Sequence, residues 1–382
     1  GGSGPMRQPT IKICLREETH IMDISKYVPA WVLSLTPYQP GKPIEELERE
    51  YGIHDSIKIA SNENPLGPSP KAVAAITAAL PDLHRYPDGD AFYLKRRLAE
   101  KLGVDRSRLI LGNGSNELIE MIVRTFMRVG ESIVAGEHAF AIYHLCVQAA
   151  GGRTITVPHQ GFKFDLEAMA RAIAPDTRIV FLDNPNNPTG TMYTRREWEA
   201  FLRAVPSSVV IVVDEAYFEF VDDPDYPNSM QSQNGDRLLI TLRTFSKICG
   251  LAGVRVGYGI SSPEVIDALN RIRQPFNVNS LAQIGALAAL DDEEHIRRTQ
   301  DNNRQGMAYL RRELDRLGLE YAPSWANFLL VKVGATTFQK LLPEGVIIRP
   351  MGGYGYPDYA RVSIGTPAEN QRFIAAMEKV KP

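Results

Sequence analysis

Residues 244–258 read Thr-Phe-Ser-Lys-Ile-Cys-Gly-Leu-Ala-Gly-Val-Arg-Val-Gly-Tyr, which places one lysine, Lys247, among small and apolar residues. Arg255 follows eight positions later, with Gly250 and Gly253 between them. Low-dielectric surroundings lower the pKa of a lysine and leave its amine free to attack a carbonyl. A guanidinium binds phosphate well. The segment therefore predicts an amine nucleophile close to a phosphate-binding cation.

The chain around this segment alternates strand-like and helix-like runs from about residue 70 to 275. Several strand-like runs are continuously apolar and end in polar residues, which is typical of strands buried on both faces of a parallel sheet. This pattern predicts an α/β fold: a three-layer α/β/α large domain with a mostly parallel sheet and its site at the carboxyl ends of the strands. The predicted strands are 109–111, 132–135, 154–157, 178–183, 209–214, 238–242 and 254–260.

Helices are predicted at 116–127, 166–173 and 195–204, the last with a capping box formed by Thr194 and Glu197. After about residue 280, helices at 281–290 and 294–317 and short strands at 328–333, 346–349 and 360–364 predict a smaller α+β domain. We expect four parts: a cloning remnant at 1–5 ahead of a natural start at Met6, an arm at 6–60 that joins the small domain, the large cofactor-binding domain at 61–278, and the small C-terminal domain at 279–382.

Composition excludes several classes of protein. The chain has 382 residues and a net charge of −2, so nothing favours binding to nucleic acid or to an anionic membrane. No apolar run is long enough to span a membrane, and no secretory leader opens the chain. Cys14, Cys146 and Cys249 form neither a metal-binding spacing nor an even disulfide set, which favours a cytoplasmic protein without a metal.

A carboxylate ends one predicted strand. Asp214 follows a β-branched run, and Tyr217 comes three residues later. A buried carboxylate needs a charged or hydrogen-bonded partner, and a protonated pyridine nitrogen would supply one. Combined with Lys247 and Arg255, this indicates pyridoxal phosphate. Taken alone, Asp214 and Tyr217 are better explained as a turn cap and a core residue.

Three further segments follow predicted strands. Residues 183–190, Asp-Asn-Pro-Asn-Asn-Pro-Thr-Gly, form a loop stiffened by two prolines that could aim Asn187 at the phenolic oxygen of the cofactor. Residues 112–117, Gly-Asn-Gly-Ser-Asn-Glu, precede a helix and form either an anion site or an ordinary turn capped by Ser115. Glu117 replaces the third glycine of a dinucleotide fingerprint, which argues against a nicotinamide cofactor. Phe140 could stack on the cofactor ring or belong to the core.

These motifs occur in the order found in one family. The chain resembles the fold-type I pyridoxal-phosphate aminotransferases, within them the histidinol-phosphate aminotransferase branch, from about Tyr38 to the C-terminus. The resemblance also includes residues 60–69 (Ala-Ser-Asn-Glu-Asn-Pro-Leu-Gly-Pro-Ser), 85–88 (Arg-Tyr-Pro-Asp), 275–280 (Pro-Phe-Asn-Val-Asn-Ser) and 361–366 (Arg-Val-Ser-Ile-Gly-Thr).

The resemblance implies a role for each motif residue. Lys247 would be the Schiff-base lysine and the proton shuttle, Asp214 would pair with the pyridine nitrogen, and Tyr217 would join Asn187 on the phenolic oxygen. Phe140 would stack on the ring. The implied phosphate contacts are Ser115, Asn116, Thr244, Ser246 and Arg255. Tyr86 matches a tyrosine that reaches the phosphate of the other subunit, which implies a homodimer with shared active sites.

The identity of the amino donor stays open. Arg361 matches an arginine that binds the distal anion of the substrate, and Arg349 flanks the same end. Because a guanidinium binds phosphate and carboxylate with the same fork, histidinol phosphate and aromatic amino acids both fit, with a keto acid such as 2-oxoglutarate as acceptor. Decarboxylation of a phosphorylated amino acid is a third interpretation. Tyr38 could close over the site or simply pack. A cofactor-sensing regulator is disfavoured, since no DNA-binding segment accompanies the motifs.

Overall fold

The computed structural model describes residues 23–38, 41–233, 235 and 237–380. The expectations for the remnant 1–5, for Met6 and for Cys14 lie outside these residues. The helices are α1 Ala30–Leu33, α2 Ile44–Tyr51, α3 Pro70–Ala79, α4 Phe92–Leu102, α5 Ser115–Phe126, α6 Ala141–Ala149, α7 Leu166–Arg171, α8 Arg195–Ala204, α9 Pro263–Asn270, α10 Ser280–Leu290, α11 Glu293–Leu317, α12 Thr337–Leu341 and α13 Pro367–Val380. The strands are β1 Ile57–Lys58, β2 Leu109–Gly112, β3 Ser132–Gly136, β4 Arg153–Val157, β5 Thr177–Asp183, β6 Val210–Asp214, β7 Leu239–Thr244, β8 Gly257–Ile260, β9 Phe328–Lys332, β10 Val346–Ile347, β11 Arg349–Met351 and β12 Tyr356–Ser363.

The large sheet has seven strands in the order β2-β8-β7-β6-β5-β3-β4. All neighbours are parallel except β8, which runs antiparallel to both β2 and β7. The prediction of a mostly parallel sheet is therefore confirmed. In the register of β5 and β6, Asp183 lies beside Asp214, so two buried carboxylates share one edge of the sheet.

Burial explains the apolar runs seen in the sequence. Every residue of β6 is buried, and β3, β5 and β6 share one core cluster with α5, α6, α7, α8 and α9. A second cluster joins β2 and β8 to α4 and α10. Strands enclosed by helices on both faces must be apolar throughout, because neither face meets water. The capping box of Thr194 and Glu197 at the start of α8 is present as predicted.

The C-terminal part forms a second, smaller core. β11, β12 and β9 make an antiparallel sheet, and α11 and α13 pack on it. Two strand predictions are wrong in detail. The predicted strand 346–349 is two strands, because β10 pairs with β1 whereas Arg349 in β11 pairs with Arg361 in β12. The predicted strand 254–260 begins only at Gly257, because residues 252–254 form a 3-10 turn and Arg255 has φ 60°.

Among the described residues, no helix combines the length and the apolarity that crossing a membrane requires.

Candidate active site

A cavity of about 220 Å³ opens where the carboxyl ends of β5, β6 and β7 meet the small sheet and the segment around residue 60. All of the site residues predicted from the sequence line it except Tyr86. Those residues are Tyr38, Ser115, Asn116, Phe140, Asn187, Asp214, Tyr217, Thr244, Ser246, Lys247, Arg255, Arg349 and Arg361. Residues more than 320 positions apart in the chain therefore border one cavity. The parallel sheet accounts for the residues at the ends of β5, β6 and β7, whereas Arg349, Arg361 and Tyr38 come from the small sheet and the N-terminal segment.

Lys247 follows β7 and is half-buried because its amine borders the cavity. Its Nζ donates a hydrogen bond to the Ser61 carbonyl at 3.3 Å. Burial lowers the pKa of Lys247 to about 8, and the charges of Arg361 and Arg255 act in the same direction, while Asp214 opposes them. A minority of the amine is therefore neutral at physiological pH, far more than for an ordinary lysine, and this neutral form is the one that a nucleophile or a base requires.

Asp214 ends β6 and is only 5% exposed. Its Oδ2 accepts a hydrogen bond from the Tyr143 hydroxyl at 3.2 Å, and its Oδ1 accepts one from the Ala216 N–H at 3.1 Å. Burial raises the pKa of Asp214 to about 6, although both hydrogen bonds oppose this rise. A carboxylate held in this way would gain from a cationic partner in the cavity.

Tyr143 was missed by the sequence reasoning. It is fully buried on α6, and its ring stacks on Phe181 at 4.7 Å between centroids. Its position three residues after Phe140 places both rings on one side of the helix, edge to face at 5.7 Å. That spacing was the available signal, but nothing in the local sequence indicated contact with Asp214.

The loop after β5 is organised by a second carboxylate. Asp183 Oδ2 accepts hydrogen bonds from the Asn187 N–H at 2.7 Å and from Asn186 Nδ2 at 3.1 Å. Burial, reinforced by the nearby charge of Asp214, raises the pKa of Asp183 well above its usual range. Asp183 Oδ1 is buried and has no hydrogen-bond partner among the described residues. Asn187 Oδ1 in turn accepts from Arg361 Nη1 at 2.5 Å.

The other end of the cavity is positive. α5 begins at Ser115, directly after Gly114, so its first N–H groups face the cavity edge. The Arg255 guanidinium lies so close to Gly114 that an added Cβ would sit 2.5 Å from Nη2. Gly114, with φ +74°, occupies the N-cap position and has no side chain to cap the helix, and Ser115 is the first residue of α5, so the structure does not show a turn capped by Ser115. A helix start with an adjacent arginine is a strong anion site.

The turn after β7 brings these groups together. Gly250 has φ +66°, and a Cβ there would lie 2.2 Å from the Gly67 carbonyl oxygen, so only glycine fits. Five residues later the chain turns again at Arg255, whose Nη1 donates to the Ala252 carbonyl at 3.0 Å. Thr244 Oγ1 accepts a hydrogen bond from the Ser246 N–H at 3.0 Å, which fixes the start of this turn.

Two further arginines lie at the side of the small sheet. Arg361 is 8% exposed, and its Nη2 donates to the Ala60 carbonyl at 2.8 Å. Burial lowers the pKa of Arg361. Arg349 lies beside it in the β11–β12 register, and its guanidinium is 5.7 Å from the centre of the Tyr38 ring. Tyr38 itself is 48% exposed.

Tyr86 is the predicted site residue that does not line this cavity. It is 84% exposed, and its ring stacks on Phe276 at 4.9 Å. Its implied contact concerns the site of another subunit, so its distance from the cavity of its own chain does not contradict the prediction.

The side chains that line the cavity fit pyridoxal phosphate. The helix start and Arg255 match a phosphate, Asp214 matches a protonated ring nitrogen, and the amine of Lys247 shares the same cavity. Within the part of the chain that the structure describes, Asp183 Oδ1 and Arg361 Nε are buried without a hydrogen-bond partner, which also indicates a polar occupant of the cavity. The described residues contain no group of three or more His, Cys, Asp or Glu side chains placed to hold a metal ion.

Comparison with known proteins points the same way. The family model "Aminotransferase class I and II" matches residues 54–377. The chain is 49% identical over 354 residues to histidinol-phosphate aminotransferase 1 of Nitrosococcus oceani, covering 92% of this chain and 96% of that one. It is 49% identical over 353 residues to histidinol-phosphate aminotransferase of Moorella thermoacetica, covering 91% and 92%. The crystal structure of the Sinorhizobium meliloti histidinol-phosphate aminotransferase with pyridoxal-5'-phosphate is similar with a TM-score of 0.84 and 31% identity, covering 93% and 97%.

Proposed function

The chain belongs to the aminotransferase class I and II family, and we propose that it transfers the amino group of histidinol phosphate to 2-oxoglutarate, yielding imidazole acetol phosphate and glutamate in histidine biosynthesis. Its cofactor is pyridoxal phosphate. The observation that carries the reaction type is the cavity that joins Lys247 to Asp214 and Arg255. The choice of donor is supported by the names of the relatives that are 49% identical over most of the chain.

The cavity residues divide the work of holding the cofactor. Arg255 would bind the phosphate with the start of α5, and Asp214 would pair with the ring nitrogen. Phe140 would lie against the ring, while Tyr217 and Asn187 would donate to its phenolic oxygen. The remaining proposed phosphate contacts are Ser115, Asn116, Thr244 and Ser246. The chemistry supplied by bound pyridoxal phosphate is a carbonyl that accepts the amino group and a ring that delocalises the electrons left at the substrate Cα.

Lys247 is proposed to move the protons. Its Nζ would hold the cofactor covalently between turnovers and, once released, would remove the Cα proton of the donor and deliver it to the adjacent cofactor carbon. Because the pKa of Lys247 is lowered to about 8, a useful fraction of the amine is neutral at physiological pH. The low-dielectric walls of the cavity also favour a neutral base over an ammonium ion.

Asp214 is proposed to keep the ring nitrogen protonated. The carboxylate is buried, so it gains from a hydrogen-bonded cation, and the donations from Tyr143 and from the Ala216 N–H fix its orientation. A fixed negative charge at this place favours the electron-accepting state of the ring.

The donor would bind at the end where Arg361 and Arg349 converge. Two guanidinium groups can bind a dianionic phosphate through charge-assisted hydrogen bonds, whereas one is sufficient for a carboxylate. Tyr38 lies over Arg349 and would restrict access of water to that end. This arrangement favours a phosphorylated donor, in agreement with the names of the relatives.

We also propose a homodimer with shared sites. Several large aromatic and aliphatic side chains near Tyr86 in the sequence or in contact with it are exposed, which is typical of a surface that another subunit covers. They are Phe276, whose ring stacks on Tyr86, and Leu80, Leu83, Phe92 and Tyr93, which are near Tyr86 in the sequence. If Tyr86 serves the partner's site, mixing inactive Lys247→Ala and Tyr86→Ala proteins will restore activity, because one site of each mixed dimer carries both native residues. If the mixed proteins stayed inactive, the proposal that the two subunits share their active sites would be contradicted.

A cytoplasmic location belongs to the same proposal. Cys146 and Cys249 are free thiols, and burial raises the pKa of Cys146 to about 11. Unpaired cysteines without reactive character fit a reducing compartment.

Half-reaction spectroscopy tests the donor directly. Cofactor-loaded protein is mixed with histidinol phosphate, phenylalanine or glutamate, and the loss of visible absorbance is followed. Histidinol phosphate should react with a second-order rate constant at least about 100-fold above that of phenylalanine, because only it engages both arginines as a dianion. Faster reaction with phenylalanine would favour the aromatic aminotransferase, and release of carbon dioxide from a phosphorylated amino acid would favour the decarboxylase.

A further inference from the structure

Residues 60–62 contact three side chains of the site in succession. The carbonyl oxygens of the first two residues accept hydrogen bonds from Arg361 Nη2 at 2.8 Å and from Lys247 Nζ at 3.3 Å. The third residue, Asn62, is 1% exposed, and its Nδ2 donates to the Tyr217 hydroxyl oxygen at 2.9 Å. The segment thus contacts the proposed base Lys247, the proposed substrate-binding Arg361 and the proposed donor Tyr217, and only the contact with Tyr217 is made by a side chain of the segment.

The orientation of the Asn62 amide follows from its other partners. The Asn62 N–H donates to Ser363 Oγ at 2.9 Å, and the Ser363 hydroxyl donates to Asn62 Oδ1 at 3.0 Å. With the amide reversed, Ser363 Oγ would face two donors and its own proton would lose this acceptor. The arrangement in which every group is satisfied therefore directs the NH₂ group of Asn62 at Tyr217.

This donation decides what the Tyr217 hydroxyl can do. Within the described part of the chain, Asn62 is the hydrogen-bond partner of this hydroxyl, and the Tyr217 oxygen is the acceptor in that bond. Burial raises the pKa of Tyr217 to about 12, so the hydroxyl keeps its proton at neutral pH. Because Tyr217 lines the cavity, that proton is available to an acceptor there. Because the Tyr217 oxygen accepts a hydrogen bond from Asn62, its own O–H becomes a stronger hydrogen-bond donor.

We propose that Asn62 is a positioning residue that aims the Tyr217 proton at the phenolic oxygen of the cofactor. The proposal rests on the proposed pyridoxal phosphate chemistry and adds to it a residue, Asn62, that keeps the Tyr217 hydroxyl oriented as a hydrogen-bond donor toward the cavity. Ser363 belongs to β12 of the small sheet, and Asn327 Nδ2, just before β9, donates to the Asn62 carbonyl at 3.1 Å. The small sheet therefore holds Asn62, and through it the hydroxyl of Tyr217 on the large-sheet side.

The backbone of Asn62 allows a clean deletion. Its φ is +55°, in the left-handed region where glycine is unstrained. Asn62→Gly therefore removes the amide without adding backbone strain. Asp55 provides a matched control, because it also has positive φ, +65°, while its side chain is 96% exposed. If Asn62 served only the backbone turn, both glycine substitutions would behave alike.

The experiment is a double-mutant cycle read by spectroscopy. Wild type, Asn62→Gly, Tyr217→Phe and the double variant are loaded with pyridoxal phosphate, and the pH midpoint of the visible absorbance is determined, together with the dissociation constant of the cofactor. A weaker hydrogen bond from Tyr217 to the phenolic oxygen of the cofactor disfavours the anionic form of that oxygen and so raises the pH midpoint of the absorbance. Asn62→Gly should raise it by about half a pH unit in the wild-type background and by close to zero in the Tyr217→Phe background.

Asp55→Gly should leave the midpoint unchanged. Ser363→Ala, which removes one hydroxyl and leaves Asn62 in place, should raise it by a smaller amount and keeps the test open if Asn62→Gly fails to fold. The role of Asn62 would be overturned if Asn62→Gly shifted the midpoint equally in the wild-type and Tyr217→Phe backgrounds. It would also be overturned if neither Asn62→Gly nor Ser363→Ala shifted the midpoint. A wild-type protein that binds no pyridoxal phosphate would overturn the proposed function as well, so the two failures are distinguishable.

Discussion

The two ends of the cavity are built differently. At the proposed cofactor end, Asp214 ends β6 and Lys247 comes three residues after the neighbouring strand β7 of the same sheet, and Asp214 is 5% exposed. At the proposed donor end, Arg349 comes from the small sheet and Tyr38 from the N-terminal segment, and Tyr38 is 48% exposed. One end is thus positioned by a single rigid element, whereas the other depends on how separate parts of the chain meet. We expect changes at the first end to affect the chemical step and changes at the second to affect donor binding.

Removing the amine should have the largest effect. Lys247→Ala should lower kcat at least about 1,000-fold, because both the covalent attachment and the proton transfer depend on Nζ. Steady-state kinetics with saturating cofactor measures this loss, and circular dichroism checks the fold. Lys379→Ala removes an exposed lysine paired with Glu344 and should leave kcat unchanged. A Lys247→Ala protein with wild-type turnover would refute the assignment of the base.

Shortening the donor-end arginines should change KM instead. Arg349→Lys should raise the KM for histidinol phosphate about tenfold with kcat within about threefold, because lysine loses the bidentate fork. Arg361→Lys should raise KM more, since it also releases Asn187 Oδ1 and the Ala60 carbonyl. If either variant lowered kcat while leaving KM unchanged, the division between the two ends would be wrong.

Tyr143→Phe should have a smaller effect at the cofactor end. It removes one hydrogen bond to Asp214 Oδ2 and retains the stacking on Phe181. Asp214 keeps its hydrogen bond from the Ala216 N–H, so the loss should be near the lower end of the cost of a hydrogen bond to a charged group, about 1.5 kcal/mol. We therefore expect kcat to fall about tenfold while the KM for the amino donor stays the same. Steady-state kinetics at several pH values separates this from a change in donor binding.

The ionisation of Lys247 should be visible in the stability of cofactor-free protein. Its pKa is about 8 in the folded chain against 10.5 for an ordinary lysine, so the folded state binds its proton less tightly than the unfolded state. The resulting penalty, at most about 3 kcal/mol, is complete below pH 8 and fades as pH rises to 10.5. The unfolding temperature of the wild-type protein should therefore approach that of Lys247→Met as the pH rises from 8 to 10.5. A difference independent of pH would contradict the shift.

The difference between the two ends also explains what the sequence could predict. Asp214, Asn187 and Lys247 each follow an apolar run, so strand prediction and the topology of a parallel sheet were enough to bring them together. The late start of β8 was missed because Arg255 adopts φ 60°, which no local pattern indicates for an arginine. Tyr143 was missed because its contact with Asp214 joins residues 71 positions apart.

Contacts between separate parts of the chain were the least predictable. Asn62 reaches Tyr217 across 155 positions and Ser363 across 301, and each contact depends on the packing of the small sheet rather than on local propensity. The motif at 60–69 was recognised through the resemblance, but the hydrogen bond of Asn62 was not. The same reasoning applies to Arg349, whose place in a strand separate from β10 was not visible in the run 346–349.

The central claim is that Lys247 is the residue that carries pyridoxal phosphate. Protein loaded with the cofactor is reduced with borohydride and digested, and the labelled peptide is identified by mass spectrometry. The account predicts one label per chain, on Lys247, and its loss in Lys247→Ala but not in Lys379→Ala. Stoichiometric label on another lysine, or no label on protein that has bound the cofactor, would contradict it.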